Sequence, residues 1–144
     1  MKVSDLIQSR TDVFSIQEDT TVQESACYLR EKHVRAVGVR NQQGKLVGVV
    51  SQSDISDKVA AENKCPAWLR ASEIMSTELV TVSPELALDD CLRLMDKHGI
   101  YHLLVVDGKG GYRGMISVQD LLNVIASDQK ARADMLEDYM FPKH

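Results

Sequence analysis

An internal repeat constrains the fold of this 144-residue chain more than any other feature of its sequence. When the chain is aligned with itself at an offset of 66 residues, Gly48 meets Gly114 and Asp54 meets Asp120. Near the start the offset is 68, because a two-residue difference in loop length separates the otherwise similar openings of the two copies. We interpret the chain as two copies of one supersecondary unit, since such a repeat fixes the architecture before any local motif does.

Each copy has the same predicted order of elements, β-α-β-β-α, after a short helical turn at residues 4–7 or 72–75. Apolar spacing indicates the helices, and runs rich in β-branched residues indicate the strands. The predicted strands are residues 13–16, 34–39 and 46–50 in copy one, and 79–82, 101–106 and 112–117 in copy two. This pattern predicts an α/β (α+β) fold with the two tandem repeats packed sheet to sheet in pseudo-twofold symmetry, because one unit alone buries too little apolar surface.

The domain boundaries are predicted from Pro66 and from a change in polarity after copy two. Repeat 1 covers residues 1–62, a linker covers 63–70, repeat 2 covers 71–126, and a polar tail, with a helix as one expectation, covers 127–144. The end of the tail carries apolar side chains that are expected to lie on the domain itself or on a second subunit: Met135, Leu136, Tyr139, Met140 and Phe141.

Charge and cysteine content limit the kinds of partner. Seventeen basic and 21 acidic residues give a net charge of −4, which argues against a broad nucleic-acid-binding face. No segment approaches the roughly 18 apolar residues of a membrane span, and the N-terminus lacks the apolar core of a signal peptide. Three cysteines without C-x-x-C spacing favour free thiols. We therefore expect a cytoplasmic protein that binds neither nucleic acid nor membrane.

A carboxylate and one or two hydroxyls open the last helix of each copy. Asp54 and Asp120 can each accept two hydrogen bonds from the 2′- and 3′-hydroxyls of a ribose. Ser51 and Ser117 lie at electropositive helix starts that suit an anion, and Ser53 adds a second hydroxyl in copy one. The same Ser-x-x-Asp spacing is also a capping box that stabilises a helix without any ligand, so both interpretations stay open.

Patterns typical of catalysis are missing from the sequence. It contains no Gly-x-Ser-x-Gly elbow and no P-loop, and its four histidines lack the spacing of a zinc site. Cys91 aligns with Ser25 on a helical face, which favours packing over a nucleophilic role. We expect no enzymatic activity, no metal site and no required cofactor.

The two copies together resemble a pair of CBS domains, also called a Bateman module. Four patterns carry the resemblance: Val-x-Asp-Leu-Ile and Ser-Glu-Ile-Met at the openings of the two copies, Gly-h-h-Ser-x-x-Asp-h at the end of each copy (h is apolar), Thr81-Val82-Ser83-Pro84-Glu85, and Val105-Val106-Asp107. The resemblance covers about residues 1–126. It departs from the family where a proline is frequent in the second strand, since Gly38 and Leu104 stand there, and where copy one has Arg40-Asn41 in place of an aspartate.

The resemblance implies a regulatory, ligand-sensing module with an adenosine-containing ligand in two clefts between the copies. AMP, ADP, ATP, S-adenosylmethionine and NAD are the candidate ligands. It also implies a disc-shaped homodimer and an unknown regulated protein; since no enzyme, channel or transporter domain is present in the chain, we expect a stand-alone CBS-domain protein. The alternative is a ligand-free scaffold that uses its surface and its tail for protein contacts.

Family positions, carried over one by one, give two crossed sites. We define the Asp54 cleft by Asp54, Ser51, Ser53, Arg35, Thr81, Ile100 and His102. We define the Asp120 cleft by Asp120, Ser117, Tyr101, His102, Ser15 and Val34. Because Arg35 suits a phosphate and its mate Tyr101 is uncharged, a phosphorylated ligand is expected to prefer the Asp54 cleft. The alternatives are a core-edge histidine at position 102 and a surface ion pair of Arg35 with Glu31 or Asp54.

A homodimer is also expected from the predicted surface. Ala26, Leu92 and Met95 are predicted to lie on helix faces that little else covers. Trp68, near the linker, is expected to pack at the edge of the module or in an interface.

Overall fold

The structure of the protein is a computed structural model that describes residues 1–10 and 12–140, with side chains as far as Met135. Phe141 and the side chains of Leu136, Tyr139 and Met140, which were expected to pack with the tail, lie outside the described part. Copy one contains α1 (Val3–Ile7), β1 (Ser15–Gln17), α2 (Val22–Lys32), β2 (Ala36–Arg40), β3 (Leu46–Ser51) and α3 (Gln52–Ile55). Copy two contains α4 (Ala71–Ile74), β4 (Thr81–Val82), α5 (Leu88–His98), β5 (His102–Val106), β6 (Tyr112–Ser117) and α6 (Val118–Met140).

Each copy forms a three-stranded sheet with the same topology. β1 is parallel to β2, with Ser15 opposite Gly38, and β2 is antiparallel to β3. β4, β5 and β6 repeat this order, with Thr81 opposite Leu104. The predicted mixed α/β fold of two sheets with helices is therefore confirmed. The first strand of each copy is shorter than predicted: the parallel ladder covers Ser15–Gln17 and Thr81–Val82 only.

α1 packs into the hydrophobic core of copy two, although it opens copy one in the sequence. Val3 and Ile7 are buried among the apolar residues of β4, β5, β6 and α5. Backbone hydrogen bonds also attach α1 to copy two. Val3 N–H donates to the carbonyl of Leu86 at 2.9 Å, and Ser4 N–H donates to the carbonyl of Pro84 at 2.8 Å. The first turn of the chain is therefore a structural part of the second half.

α4 makes the reciprocal exchange. Ala71 and Ile74 belong to the core of copy one, and Ala71 N–H donates to the carbonyl of Thr20 at 2.7 Å. The segment after α4 also extends the first sheet, since Ser76 and Val49 exchange two backbone hydrogen bonds of 2.9 and 3.0 Å. Neither half of the sequence therefore contains its complete core.

The two sheets meet where Tyr112 of β6 packs against β2. A Cβ atom at Gly38 would lie 3.0 Å from the Tyr112 ring, so the glycine permits this close approach of ring and backbone. Burial raises the pKa of Tyr112 to about 12, although the Arg40 guanidinium and the Gly38 backbone act against this rise. The contact ties the central strand of the first sheet to the edge strand of the second.

Two expectations about the surface are wrong for the single chain. Met95 is not on an uncovered helix face: it is 4% exposed, since it shares with Leu88 and Cys91 the face of α5 that packs in the core of copy two. Trp68 is 85% exposed and does not pack at the edge of the module, because it lies in a single 3-10 turn outside both cores. Its place in an interface stays a prediction.

α6 continues without a break over the 23 residues Val118–Met140. Its first turns reach the core, where Leu121 is buried, and its later part leaves the domain, where Met135 is 72% exposed. The segment predicted as a polar tail thus begins within a helix.

Candidate functional site

The Ser-x-x-Asp turn of copy one is folded as a reciprocal cap at the end of β3. Asp54 N–H donates to Ser51 Oγ at 3.2 Å, and Ser51 N–H donates to Asp54 Oδ2 at 2.9 Å. Ser51 Oγ also donates to Asp54 Oδ2 at 3.0 Å and lies 2.9 Å from Ser53 Oγ. One carboxylate oxygen of Asp54 is therefore engaged by its own helix start.

Lys58 engages the other carboxylate oxygen of Asp54. Lys58 Nζ lies 3.0 Å from Asp54 Oδ1 and donates to the carbonyl of Ile74 at 2.8 Å. Lys58 belongs to Ser56–Ala60, where the helix widens to a π-helical turn, a feature that is frequent at functional sites. The Asp54 side chain is 11% exposed, so a ligand at this carboxylate has to share it with Lys58.

Copy two repeats the cap but takes its cation from the other copy. Ser117 N–H donates to Asp120 Oδ2 at 2.8 Å, and Asp120 N–H donates to Ser117 Oγ at 3.2 Å. The position that corresponds to Lys58 is Val124. In its place Arg10, from the segment after α1, puts Nη2 3.0 Å from Asp120 Oδ2 and donates through Nη1 to the carbonyl of Met115.

These contacts reduce the expected difference in charge between the two clefts. Tyr101 in place of Arg35 suggested an uncharged Asp120 cleft, but Arg10 brings a guanidinium there. The Asp120 side chain is 30% exposed. Within the part of the chain that the structure describes, the hydrogen bonds and the ion pair of its carboxylate all fall on Oδ2, which leaves Oδ1 for a ligand.

Sequence reasoning missed both cations. Lys58 carried a usable signal, because residues four apart on a helix are neighbours on its surface. Arg10 carried none, since it lies 105 residues before Met115 and reaches it only through the exchange of α1.

His102 links the two copies electrostatically. It lies opposite Ser117 in the β5–β6 register. Burial lowers the pKa of His102; the Asp120 carboxylate acts to raise this pKa, and the Arg35 guanidinium of copy one acts to lower it. Charges from both copies thus act on the pKa of His102.

Ser15, Arg35 and Tyr101 have defined local roles. Ser15 Oγ accepts a hydrogen bond from Arg40 Nε at 3.2 Å. The carbonyls of Arg35 and Tyr101 accept the first N–H of α3 and of α6, each at 2.9 Å, so both residues are fixed next to a helix start. The Tyr101 side chain is 70% exposed, which leaves its ring free for a contact outside the core.

The other predicted residues are further from the caps. Val34 is half-buried against the core of copy one and Ile100 against that of copy two, while Thr81 is exposed on β4. The structure thus brings Ser51, Ser53 and Asp54 into one bonded cluster and places Ser117, Asp120 and His102 in another. No hydrogen bond within the described ranges joins Thr81, Ile100 or Val34 to either cluster.

Two surface grooves have the size of small-molecule sites. The first, of about 440 Å³, lies between α1 and α6 and is lined by Met1, Leu6, Asp120, Asn123, Val124, Ser127 and Asp128. Asp120 is the one predicted site residue in this lining. The second, of about 420 Å³, lies between α2 and the helical segment after β3 and contains no predicted site residue: Gln23, Ala26, Cys27, Arg30, Ile55, Val59, Ala60, Lys64 and Pro66.

Among residues 1–10 and 12–135, whose side chains the structure describes, no group of three His, Cys, Asp or Glu side chains is placed to hold a metal ion. In the same part of the chain, the helices are too short or too polar to cross a membrane.

The family model of the CBS domain matches residues 3–61 and again residues 71–127. The chain therefore belongs to the CBS-domain family and contains two CBS domains in tandem, as the repeat had predicted.

A curated relative and two solved structures illustrate the similarity. The chain is 33% identical over 111 residues to the CBS domain-containing protein YhcV of Bacillus subtilis. The aligned region covers 77% of each chain. Other curated relatives are longer: the chain spans 59% of the length of one and 22% of another.

The first structure is that of a putative signal-transduction protein with CBS domains from Burkholderia ambifaria. It is 26% identical, with a TM-score of 0.83 over 90% of this chain and 96% of that one. The second is the CBS domain pair of protein MJ0100 in complex with 5′-methylthioadenosine and S-adenosyl-L-methionine. It is 23% identical, with a TM-score of 0.79 over 89% of this chain and 98% of that one, a likeness that shows the fold.

Proposed function

We propose that this protein is a regulatory module that binds an adenosine-containing ligand between its two CBS domains and passes the bound state to a partner protein. The candidate ligands are AMP, ADP, ATP, S-adenosylmethionine and NAD. In this proposal Asp54 and Asp120 bind ribose hydroxyls, and the protein has no catalytic step of its own. The protein is expected to act as a homodimer.

The observation that carries the proposal is the Asp120 carboxylate, which keeps Oδ1 for a ligand and lines a groove of about 440 Å³. A ribose diol suits such a carboxylate because its two hydroxyls donate together. The Asp120 carboxylate acts to raise the pKa of His102, and the Arg35 guanidinium of copy one acts to lower it. In the Asp54 cleft, Arg35 is proposed to add a positive charge for a phosphate or carboxylate of the ligand.

Each remaining predicted residue has a role in the proposal. Ser51, Ser53 and Ser117 offer hydroxyls and helix-start N–H groups to an anionic part of the ligand. The other residues are proposed to surround the base or ribose: Ser15, Val34, Thr81, Ile100 and Tyr101. The complex of protein MJ0100 supports the ligand class, since a CBS domain pair of the same fold is bound there to two adenosyl compounds.

Thermal unfolding with a ligand panel tests this function. The panel contains AMP, ADP, ATP, S-adenosylmethionine, NAD and cyclic dinucleotides, with GMP as a control for the base. A ligand at 100 times its Kd stabilises the folded protein by about 2.7 kcal/mol, so at least one adenosyl compound is expected to raise Tm by several degrees while GMP does not.

Paired variants show whether the effect belongs to the proposed site. The double variant Asp54→Asn with Asp120→Asn is expected to lose the ligand-dependent rise in Tm. Asp57→Asn, the same substitution at an exposed position of the same helical segment as Asp54, is expected to keep it. The function is contradicted if no adenosyl compound shifts Tm, or if both variants respond equally.

A ligand-free interaction module is the second candidate. Two observations favour it: Lys58 and the cap already engage both oxygens of Asp54, and Trp68 is 85% exposed. An unchanged Tm across the panel together with capture of a specific protein that Trp68→Ala abolishes would favour this function instead.

A further inference from the structure

Arg10 fills part of the Asp120 cleft with a charge from the other copy. Its guanidinium binds Asp120 Oδ2 through Nη2 at 3.0 Å and the carbonyl of Met115 through Nη1. The Arg10 side chain is 36% exposed, so solvent compensates only part of its charge. Asp120 is therefore the main counterion of Arg10 within the described residues.

In copy one the cation beside the carboxylate is Lys58, which comes from the same copy and donates to the carbonyl of Ile74. The strand position that matches Met115 is Val49, and its carbonyl accepts the backbone N–H of Ser76 at 2.9 Å. A backbone bridge of this kind stays in place when a ligand binds, whereas an arginine side chain can turn to a new partner. The cation of the Asp120 cleft thus differs from Lys58 in the Asp54 cleft, because it is a guanidinium, comes from the other copy and donates to a strand carbonyl.

A ligand in this cleft changes the surroundings of Arg10. When ribose hydroxyls bind Oδ1 of Asp120, they share the negative charge of one carboxylate with the Arg10 guanidinium on Oδ2. A guanidinium whose carboxylate partner also binds a ligand is stabilised by a second anion nearby, and the Arg10 side chain, which is 36% exposed, can turn towards one. A phosphate or carboxylate on the ligand supplies this anion, and a neutral ligand does not.

We propose that Arg10 is a specificity-determining residue of the Asp120 cleft, which selects adenosyl ligands with an anionic group over neutral adenosyl ligands. This inference rests on the proposed function and extends it to the chemical class that one cleft accepts. Copy one has a basic residue at Arg35, whereas copy two has the uncharged Tyr101 at the matching position. Arg10, which belongs to copy one, supplies the missing positive charge to the Asp120 cleft.

The test compares AMP with adenosine, two probes that differ by one phosphate. Two backbone amide signals in ¹H–¹⁵N spectra report on the two clefts separately. Ser117 N–H donates to Asp120 in one cleft, and Ser51 N–H donates to Asp54 in the other. Titration of the Ser117 signal gives the Kd of each probe in the Asp120 cleft, and titration of the Ser51 signal gives the Kd in the Asp54 cleft.

Three variants separate the role of Arg10 from a general effect of charge. Arg10→Gln is expected to lower the preference for AMP over adenosine in the Asp120 cleft by about tenfold, the change in Kd that about 1.4 kcal/mol produces. Arg10→Lys keeps the charge and is expected to keep most of the preference. Arg113→Gln is the matched control, because Arg113 lies on the same strand as Met115 but pairs with Asp107 at 3.9 Å.

The outcomes distinguish this inference from the proposed function. If AMP and adenosine shift the Ser117 signal but Arg10→Gln leaves their Kd ratio unchanged, the role of Arg10 is overturned and the function stands. An equal fall of the ratio in Arg113→Gln overturns it as well. If neither the Ser117 nor the Ser51 signal moves with any adenosyl compound of the panel, the proposed function fails and the inference fails with it. Dispersed amide spectra of each variant confirm that the chain is folded.

Discussion

The guanidinium of Arg40 in β2 lies over the ring of Tyr112 in β6, with Arg40 Cζ 5.3 Å from the ring centroid. This cation–π contact joins the two sheets, and Arg40 Nε at the same time donates to Ser15 Oγ at 3.2 Å. The two residues are not repeat mates, since Arg40 aligns with Val106 and Tyr112 with Leu46. The junction between two similar copies is therefore asymmetric in its chemistry.

The free energy of unfolding of the wild type is predicted to fall at high pH because Tyr112 ionises, and Tyr112→Phe is predicted to abolish this fall. Because the pKa of Tyr112 is about 12 in the folded protein against 10.0 ordinarily, the stability due to its burial is fully present below pH 10 and is lost as the pH rises towards 12. Between these values the free energy of unfolding of the wild type should fall, relative to that of Tyr112→Phe, by about 1.4 kcal/mol per pH unit. Urea denaturation from pH 8 to 11.5 measures this difference. Tyr101→Phe, at a 70% exposed position, is the control, and parallel curves for wild type and Tyr112→Phe would contradict the prediction.

Val3→Ala is predicted to destabilise the whole chain by about 2 kcal/mol, the cost of losing a buried valine side chain. Val3 is fully buried in the core of copy two, so the change should lower the urea midpoint of one cooperative transition. Val13→Ala, at a position that is 41% exposed, should change the free energy of unfolding by less than about 0.5 kcal/mol. Equal effects of the two changes would show that α1 does not complete the second core.

A fragment that ends near Cys65 is predicted not to fold, because it lacks α4, which completes the core of copy one.

His33→Gly is predicted to stabilise the protein by about 1 kcal/mol, the usual cost of a left-handed conformation for a residue with a Cβ atom. His33 ends α2 with φ of 56°, whereas its repeat mate Gly99 ends α5 with φ of 63°. Gly99→Ala should then destabilise by a similar amount. Thermal and urea unfolding of both variants measure the effect. If His33→Gly lowers the stability, the His33 side chain makes a contact that outweighs the backbone strain.

Asp54→Asn and Arg35→Ala are predicted to weaken AMP binding in the Asp54 cleft by about 1–3 kcal/mol, the usual scale for losing a charged hydrogen-bond partner. Asp120→Asn tests the other cleft, where Arg10 now provides the charge that Tyr101 lacks. Titration calorimetry of the three variants compares the clefts. If Asp120→Asn abolishes binding and Asp54→Asn does not, the expected preference for the Asp54 cleft is reversed. If no variant changes the affinity, the Ser-x-x-Asp turns serve as helix caps alone.

The chain is predicted to form a homodimer with about twice the mass of 16.1 kDa. The apolar groove beside α2 supports this, since half-buried Ala26 lies in its lining. Ala26→Glu should therefore shift light scattering at micromolar concentration towards the monomer, because a charged side chain in this groove has to give up its hydration when a second subunit covers it. Ala131→Glu on exposed α6 is the control. A wild-type monomer that persists at high concentration would contradict the prediction.

Local patterns predicted the elements of this fold well because their causes lie within a few residues. Thr21 accepts from Glu24 N–H at 3.1 Å, and the Ser51 and Ser117 turns form the reciprocal caps that their spacing allows. The apolar alternation predicted all six strands, and no predicted strand end differs from the observed end by more than two residues. The repeat also predicted two sheets of equal topology, since similar sequences have similar preferences.

Contacts between distant segments followed from packing alone. The repeat assigns α1 to copy one and α4 to copy two, but each helix completes the core of the other copy, where apolar surface was left uncovered. Because that exchange carries the segment after α1 across the molecule, Arg10 meets Asp120, and the second cleft gains a cation that its own sequence lacks. The order of residues thus determines which turns and strands form, since these depend on neighbours in the chain. The exchange of helices and the difference between the clefts arise only when the two copies fold together, because burial of apolar surface depends on neighbours in space.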